Sequence, residues 1–230
     1  MRLARLVIVF VAGGLALLAA AIGLSCLPAS AATERDRGPP PSLHYTNHPS
    51  RFSTTRGLAL YVDSDFDDGE RQRIALAIRQ WNYALNGFLQ FRASLLPDNA
   101  SPSAIAQIRR SGGWIVARVD SRHPITRQNE GRRALAVTAG GHGGGLVYVI
   151  SDRIGGRDLT GVVMHELGHV LGAGHDGAGL MAPVYNAAAG RCIDRDAVAL
   201  VAMAQRLPLT QLNWCVPAGY ERRPPATSMR

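Results

Sequence analysis

Residues 162–175 read Val-Val-Met-His-Glu-Leu-Gly-His-Val-Leu-Gly-Ala-Gly-His, and the spacing within this segment guides the interpretation of the whole chain. A helix turns about 100° per residue, which places His169 about 40° and Glu166 about 100° from His165. The apolar residues at 163, 167, 170 and 171 fall between roughly 140° and 240° on the same count. The pattern predicts a helix with one face in the core and two imidazoles and a carboxylate on another.

The polar face of this helix is suited to holding a catalytic metal. Two histidines one turn apart can bind the same zinc, and a catalytic zinc needs a third protein ligand and one open position. Gly172 is well placed to end the helix in a left-handed conformation. The chain can then swing His175 back to the metal. The predicted ligands of one catalytic Zn²⁺ are His165, His169 and His175.

Glu166 is predicted to act on a water molecule and not to bind the metal. Three neutral imidazoles leave the ion its full charge, so the ion would lower the pKa of its bound water toward about 7 and polarise a substrate carbonyl. Glu166 would take the proton of that water and later pass it to the leaving amine. By composition, His-Glu-x-x-His alone occurs by chance in about one such chain in two hundred. Adding Gly172 and His175 lowers this to on the order of one in a hundred thousand.

The run His-Glu-x-x-His-x-x-Gly-x-x-His at 165–175 resembles the zinc-binding motif of the metzincin metallopeptidases. Residues 180–185, Leu-Met-Ala-Pro-Val-Tyr, resemble the Met-turn of that family and the segment that follows it. The resemblance implies that Met181 forms a hydrophobic floor under the zinc. Pro183 and Tyr185 resemble the wall of the specificity pocket in matrixins. The chain is therefore identified as matrixin-like within the metzincins.

Some positions differ from the matrixin pattern. Asp176 stands where matrixins usually have Ser and is more similar to adamalysins, although it could equally be a turn-capping carboxylate. Pro183 lies two residues after Met181, so the tyrosine ligand of astacins has no counterpart. Strand candidates 134–138 and 146–150 offer no His for the matrixin structural zinc, and calcium binding stays open. His123 and His142 are lone loop histidines, and no cysteine switch is present.

The resemblance extends over about residues 57–207 and implies an α+β fold. The expected architecture is a mixed twisted sheet with two helices above the cleft and a small C-terminal subdomain with one helix. Strands are predicted at 58–62, 88–91, 114–119, 134–138 and 146–150, and the Gly-rich run 139–145 is interpreted as a hairpin beside the cleft. No element is assigned to the Ser/Pro/Ala-rich stretch between the second and third strands. The first helix is capped by Asp67 or Asp68, and its predicted core residues are Ile74, Ala77, Ile78, Trp81, Leu85 and Phe88. The last helix starts near Asp194 and is predicted to bury Ala197, Leu200, Val201, Ala204 and Leu207.

The N-terminus has the pattern of an export signal. Two arginines precede an apolar stretch over about 6–24, and Ala29-Ser30-Ala31 suits signal peptidase. The predicted organisation is a signal peptide at 1–31, a flexible lead-in at 32–56, a catalytic domain at 57–215 and a disordered tail at 216–230. Because the apolar stretch nearly spans a bilayer, an uncleaved N-terminal membrane anchor is the alternative. Lipid attachment at Cys26 is a third option. All three place the remaining chain outside the cytoplasm.

Cysteines and charge agree with an exported protein. Without Cys26, Cys192 and Cys215 remain as a pair, and export permits a disulfide between them that would tie the start of the last helix to the returning chain. Two free buried thiols are the alternative. The net charge is +8, but the arginines are scattered and no run of five like charges appears, which argues against a nucleic-acid partner.

The function that follows is a secreted zinc endopeptidase, with protein or peptide substrates and a monomeric state. The substrate would pair with a strand edge, for which 134–138 is the candidate. A non-catalytic exported zinc-binding or adhesion module on the same fold is the alternative, although the intact Glu166 argues against it. A zinc enzyme acting on a non-peptide amide is a third interpretation. Membrane contact is expected only through an uncleaved anchor.

Overall fold

The computed structural model describes residues 42–44, 56–127, 133–141, 143–155 and 158–216. In this part of the chain the fold is α+β, with a mixed five-stranded sheet, four α-helices and a separate two-stranded pair. The strands are β1 (Ser42–His44), β2 (Arg56–Val62), β3 (Leu89–Leu95), β4 (Trp114–Val119), β5 (Ala136–Gly141), β6 (Gly144–Ile150) and β7 (Trp214–Val216). The helices are α1 (Asp68–Ala84), α2 (Pro102–Arg110), α3 (Leu159–Val170) and α4 (Arg195–Gln205).

The five-stranded sheet has the order β3-β2-β4-β6-β5. Its pairs are parallel except for the last, in which β5 runs antiparallel to β6 with Thr138 opposite Val147. β5 is therefore an edge strand, and its outer side faces no other strand of this sheet. β5 covers 136–141 and not the predicted 134–138, because the hairpin pairs through its glycines up to Gly141 and Gly144.

The glycines of this hairpin make room for a tryptophan. A Cβ at Gly140 would lie 2.8 Å from the indole ring of Trp114, and a Cβ at Gly145 would lie 2.6 Å from it. Trp114 is buried on the neighbouring β4. The predicted hairpin is thus present, and close packing explains two of its glycines. His142 lies outside the described residues.

Helices α1 and α3 pack on each other and on the sheet, α1 beside β3 and α3 beside β5. The Asp67 carboxylate accepts from the Glu70 N–H at 2.7 Å, and the Glu70 carboxylate accepts from the Asp67 N–H at 2.9 Å, so α1 begins in a reciprocal capping box. Trp81 Nε1 donates to the Met164 carbonyl of α3 at 2.8 Å. This buried hydrogen bond fixes α1 against α3. Of the predicted core residues of α1 and the following turn, Ile74, Ala77, Ile78, Trp81 and Leu85 are buried and Phe88 is partly buried.

Helix α2 lies in the stretch to which the sequence assigned no element. Ser101 caps it by accepting from the Ala104 N–H at 3.2 Å, and Pro102 occupies its first turn. None of its residues is buried. Ala104, Ile105 and Ile108 share one face of this short helix and are only partly buried. The start signal of Ser101 and Pro102 is the feature of the sequence that could have indicated it.

Helix α4 and β7 form the C-terminal part of the described chain. Asp194 caps α4, as predicted, and the disulfide between Cys192 and Cys215 joins the start of α4 to β7. β7 pairs with β1, so the predicted lead-in contributes a short strand. The predicted signal peptide and most of the tail lie outside the described residues. No helix in the described ranges has both the length and the apolar character to cross a membrane.

One prediction about the packing of α4 was wrong. Ala204 is exposed, whereas Val198 and Ala202 are buried together with Ala197 and Val201. On a helical projection the buried stripe is rotated by about 80° from the predicted one. Leu200 and Leu207 pack only at the border of the core. The apolar face was misplaced because α4 is apolar on more than one side, and the neighbouring elements select the side that is buried.

Candidate metal centre

The end of α3 turns the chain back toward its own histidines. Gly172 has a φ of +89°, which is the left-handed conformation predicted from the sequence. The Ala173 N–H donates to the Gly168 carbonyl at 3.0 Å, and the Gly172 N–H donates to the His169 carbonyl at 2.9 Å. These bonds satisfy carbonyls that would otherwise be free at the helix end. The reversal brings His175 beside the helix.

Three imidazoles meet at one point. His169 Nε2 lies 3.0 Å from His165 Nε2 and 3.2 Å from His175 Nε2. The three ligand atoms all lie within 4.8 Å of one another. His165 and His169 are partly buried and His175 is exposed. The structure therefore confirms that the three predicted histidines are close enough to hold a metal ion.

The other ring nitrogen of each helical histidine fixes the tautomer. His165 Nδ1 lies 2.7 Å from the Leu180 carbonyl, and His169 Nδ1 lies 2.8 Å from the Ala173 carbonyl. A carbonyl can only accept, so each Nδ1 must carry the proton. In the neutral rings each Nε2 then presents a lone pair, and two lone pairs face each other across 3.0 Å. A cation bound to both nitrogens would relieve this repulsion.

Two of the three nitrogen separations are close to those of a tetrahedral metal site. Zinc binds imidazole nitrogen at about 2.0–2.1 Å, so two nitrogens of a tetrahedral site lie roughly 3.3 Å apart. His169 Nε2 lies 3.0 and 3.2 Å from the other two Nε2 atoms, and all three ligand atoms lie within 4.8 Å of one another. Carbonyl partners at the distal ring nitrogen are the usual orienting contacts of metal-binding histidines. The donor set therefore fits a divalent ion that prefers nitrogen ligands.

His165 is held in its neutral form by its surroundings. The pKa of His165 is lowered from 6.5 to about 4, mainly because the ring is buried. The Leu180 carbonyl acts in the opposite direction, and the nearby His169 and His175 contribute to the lowering. A proton must leave an imidazole nitrogen before that nitrogen can bind a metal. His165 is therefore ready to act as a ligand at neutral pH.

Glu166 follows the first histidine and is 6% exposed. The Thr138 hydroxyl on β5 donates to Glu166 Oε2 at 2.6 Å and lies 3.4 Å from the Glu166 carbonyl. Burial raises the pKa of the Glu166 carboxyl, and the Thr138 hydrogen bond acts in the opposite direction. Glu166 is not one of the converging ligand atoms. Its carboxylate is available for proton transfer, and Thr138 is a contact that the sequence did not reveal.

Met181 packs against α3 at the residue before His169. It is 1% exposed, and a Cβ at Gly168 would lie 2.5 Å from Met181 Sδ. The absence of a side chain at Gly168 therefore lets Met181 lie close to the helix, and Trp81 also lies near this position, 3.5 Å from where a Cβ would be. The predicted floor residue thus lies against the segment that carries His165 and His169.

Asp194 connects α4 to this site. One carboxylate oxygen accepts from the Ala197 N–H at 2.8 Å, and the other accepts from the Leu180 N–H at 2.7 Å. The carbonyl of the same Leu180 holds His165 Nδ1. Asp194 was predicted only as a helix start, because its second hydrogen bond joins residues 14 apart in sequence. A short capping signal does not reveal such a contact.

The Tyr185 side chain packs beside the first residues of α3. Its hydroxyl donates to Asp158 Oδ1 at 3.1 Å and lies close to Gly161 and Gly190. Burial, with the hydrogen bond and the charge of Asp158, raises the pKa of Tyr185. Tyr185 is partly buried, whereas Pro183 and Val184 are exposed. The segment is therefore held at Tyr185 and open to solvent at the two residues before it.

Asp176 and His123, the two remaining candidates from the sequence, make local contacts. Asp176 Oδ1 accepts from the Gly177 N–H at 2.6 Å, and the Asp176 N–H donates to the Met181 carbonyl at 2.9 Å. The carboxylate of Asp176 therefore makes a local turn contact, and its backbone N–H joins the residue after the third histidine to the Met181 segment. The His123 ring lies 5.2 Å from that of Tyr148 and is not among the converging ligands.

Comparison with known proteins adds no assignment to this geometry. No known protein family matches the chain, and no curated protein is significantly similar to it in sequence. The candidate site therefore rests on its own residues and distances.

Proposed function

We propose that this protein is a zinc-dependent endopeptidase of the metzincin type, matrixin-like in its Pro183–Tyr185 segment, that acts outside the cell. The observation that carries the proposal is the convergence of the Nε2 atoms of His165, His169 and His175 beside a buried carboxylate. A purely structural zinc site is usually closed by four protein ligands. Here three histidines converge in the described chain, and the general-base candidate follows the first of them directly.

The three histidines would hold one Zn²⁺ through Nε2. The bound ion would polarise a peptide carbonyl and lower the pKa of a water molecule toward about 7. Glu166 would accept a proton from the attacking water and deliver it to the leaving amine, the two transfers expected of a general base that then acts as an acid. The carbonyls of Leu180 and Ala173 would keep two imidazoles oriented throughout.

Edge strand β5 supports a peptide as the substrate. Extended peptides commonly add to an exposed sheet edge through main-chain hydrogen bonds. β5 is such an edge, and its Thr138 touches Glu166. A peptide paired along β5 would therefore run beside the general base. Val184, which is 78% exposed, and Tyr185 would contact side chains of the substrate.

Export is the proposed location for this activity. The apolar segment and the small residues at 29–31 support a secreted protein, with an anchored form as the alternative. The disulfide between Cys192 and Cys215 is the bond expected of an oxidising compartment.

The test compares the purified wild type with Glu166→Gln for zinc content and for cleavage of an unfolded protein. Both should hold one zinc per chain, and only the wild type should cleave at an appreciable rate. Loss of the general base should lower kcat by about 100- to 10,000-fold. Glu70→Gln, at a partly buried carboxylate of α1, is the matched control and should keep the activity. If both proteins bind zinc and neither cleaves a broad panel, the non-catalytic binding module becomes the better explanation.

A further inference from the structure

The contact between Thr138 and Glu166 joins two elements that have different roles in the proposed reaction. Thr138 lies on the edge strand β5, opposite Val147, and its hydroxyl donates to Glu166 Oε2 at 2.6 Å. Glu166 lies on α3 between the two helical histidines. The hydrogen bond therefore runs directly from the strand proposed to hold the peptide to the group proposed to accept the proton.

This hydrogen bond restrains one oxygen of the carboxylate and leaves the other available. A hydroxyl has one proton to donate, and the short distance to Oε2 favours that atom over the Glu166 carbonyl at 3.4 Å. Hydrogen bonds from a hydroxyl to a carboxylate are typically this short and are among the stronger ones in proteins. In the described chain no hydrogen bond is made by Glu166 Oε1, so this oxygen can receive a proton.

A buried carboxylate needs such a partner to keep one orientation. Glu166 is 6% exposed, so solvent contributes little to holding its terminal torsion. That torsion has a broad, two-fold energy profile, and the carboxylate can rotate when nothing holds it. General-base catalysis requires the accepting oxygen within hydrogen-bond distance of the proton that it takes.

We propose that Thr138 is a positioning residue for Glu166, holding Oε2 so that Oε1 faces the attacking water, and that it links peptide docking on β5 to the position of the base. This inference rests on the proposed peptidase function. A peptide that pairs with β5 would also fix the backbone of Thr138. Binding of the substrate would thereby restrain the hydroxyl that orients Glu166.

Kinetics of three variants test the role. Thr138→Val keeps the shape and removes the donor, and it should lower kcat by about 10- to 100-fold, the effect expected for a hydrogen bond to a charged group. KM should change less than threefold because the strand backbone is unchanged. Thr138→Ser restores the donor and should recover most of kcat. In a Glu166→Gln background, Thr138→Val should add little, because Thr138 acts through Glu166.

Thr126→Val is the matched control for removing a buried threonine hydroxyl. Thr126 is 4% exposed, and its hydroxyl lies 2.8 Å from the carbonyls of Ser121 and His123, neither of which belongs to the histidine cluster. It should lower thermal stability without changing kcat. Zinc content is measured for every variant, so that loss of metal is not mistaken for loss of positioning.

A crystal structure of the zinc-loaded wild type gives a readout independent of activity. Thr138 Oγ1 should lie within about 3 Å of one Glu166 carboxylate oxygen, the range of such bonds. In Thr138→Val the Glu166 carboxylate should rotate or occupy two orientations. A Glu166 carboxylate turned away from Thr138 in the zinc-loaded wild type would overturn the inference.

The outcomes separate the two proposals. If the wild type cleaves in a Glu166-dependent manner and Thr138→Val keeps its kcat, the positioning role is wrong and the peptidase function stands. If Thr138→Ser is as impaired as Thr138→Val, the role of the hydroxyl is also wrong. If the wild type does not cleave, the peptidase function is wrong, and the positioning role in catalysis falls with it, whatever the crystal structure shows of the contact.

Discussion

The two halves of the metal centre are held in place in different ways. The helical half consists of His165, Glu166 and His169, which lie within about one turn of α3. The loop half runs from Gly172 through His175 to Met181 and forms no regular element. The helical histidines are partly buried, whereas His175 is exposed. One half therefore takes its geometry from the helix repeat and the other from contacts made elsewhere in the fold.

Three contacts hold the loop half. Met181 is buried against Gly168, the Asp176 N–H donates to the Met181 carbonyl, and the Leu180 N–H donates to Asp194. Two of them reach out of the loop, to α3 and to the start of α4. The start of α4 is in turn tied to β7 by the disulfide. The comparison teaches that the loop half, which includes His175 and the Leu180 carbonyl that orients the His165 ring, depends on the C-terminal part of the fold. The backbone positions of His165 and His169 depend mainly on α3.

Removing one histidine from each half is expected to give the largest effect. His169→Ala should abolish zinc retention, because His169 Nε2 is the atom near both other ligands and its loss leaves two imidazoles on separate segments. His175→Ala keeps the helical pair of histidines, so zinc binding should stay measurable. The zinc affinity should fall by more than the roughly 100-fold that losing a hydrogen-bond partner of a ligand can cost, because here a ligand itself is lost. Zinc content after dialysis and competition with a chelator measure both. His123→Ala, which removes a histidine outside the cluster, is the control and should keep the zinc content of the wild type. If His169→Ala retains the zinc stoichiometry of the wild type, His169 is not a zinc ligand.

Two helix caps, one in contact with the loop half and one without such a contact, separate an effect on general stability from an effect on the loop half. Asp194→Ala removes both the cap of α4 and the bond to the Leu180 N–H, and should lower the free energy of unfolding by about 2 kcal/mol. It should also weaken zinc binding about 10-fold or more, because Leu180 orients His165. Asp67→Ala removes the cap of α1 alone and should cost about 1 kcal/mol. Urea unfolding and zinc titration test this pair, and equal zinc affinity in both variants would contradict the role of Asp194.

Acidification probes the burial of the helical half. The pKa of His165 is about 4 in the fold against an ordinary 6.5, so the unfolded chain binds more protons between these values. The stability that comes from a neutral His165 is present above pH 6.5 and is lost as the pH falls toward 4. The zinc-free protein should therefore lose about 1 kcal/mol between pH 8 and pH 5.5. Urea unfolding at the two pH values measures this, and His165→Asn should lose less. An identical loss in the variant would assign the effect to other groups.

Much of the fold could be predicted from local patterns. The stripe of α1, the motif of α3 and the cap of α4 each depend on residues within a few turns, and the structure has helices at all three. Helix α2 is short and none of its residues is fully buried, but Ser101 followed by Pro102 is a helix-start signal that could have indicated it. The buried side of α4 was misplaced at Ala204, because several of its sides are apolar and the packing partners choose among them.

Of the candidate metal centre, the sequence by itself determined the candidate ligand residues and the general-base candidate. A helix repeat places His165 and His169 together whatever surrounds them, and glycine at 172 permits the reversal that returns His175. Only the tertiary structure decided what holds these groups. The partners Leu180, Asp194 and Thr138 come from other segments, and a pairwise contact between distant segments leaves no periodic signal in the chain. Those contacts exist only after the sheet, α3 and α4 have packed around one core.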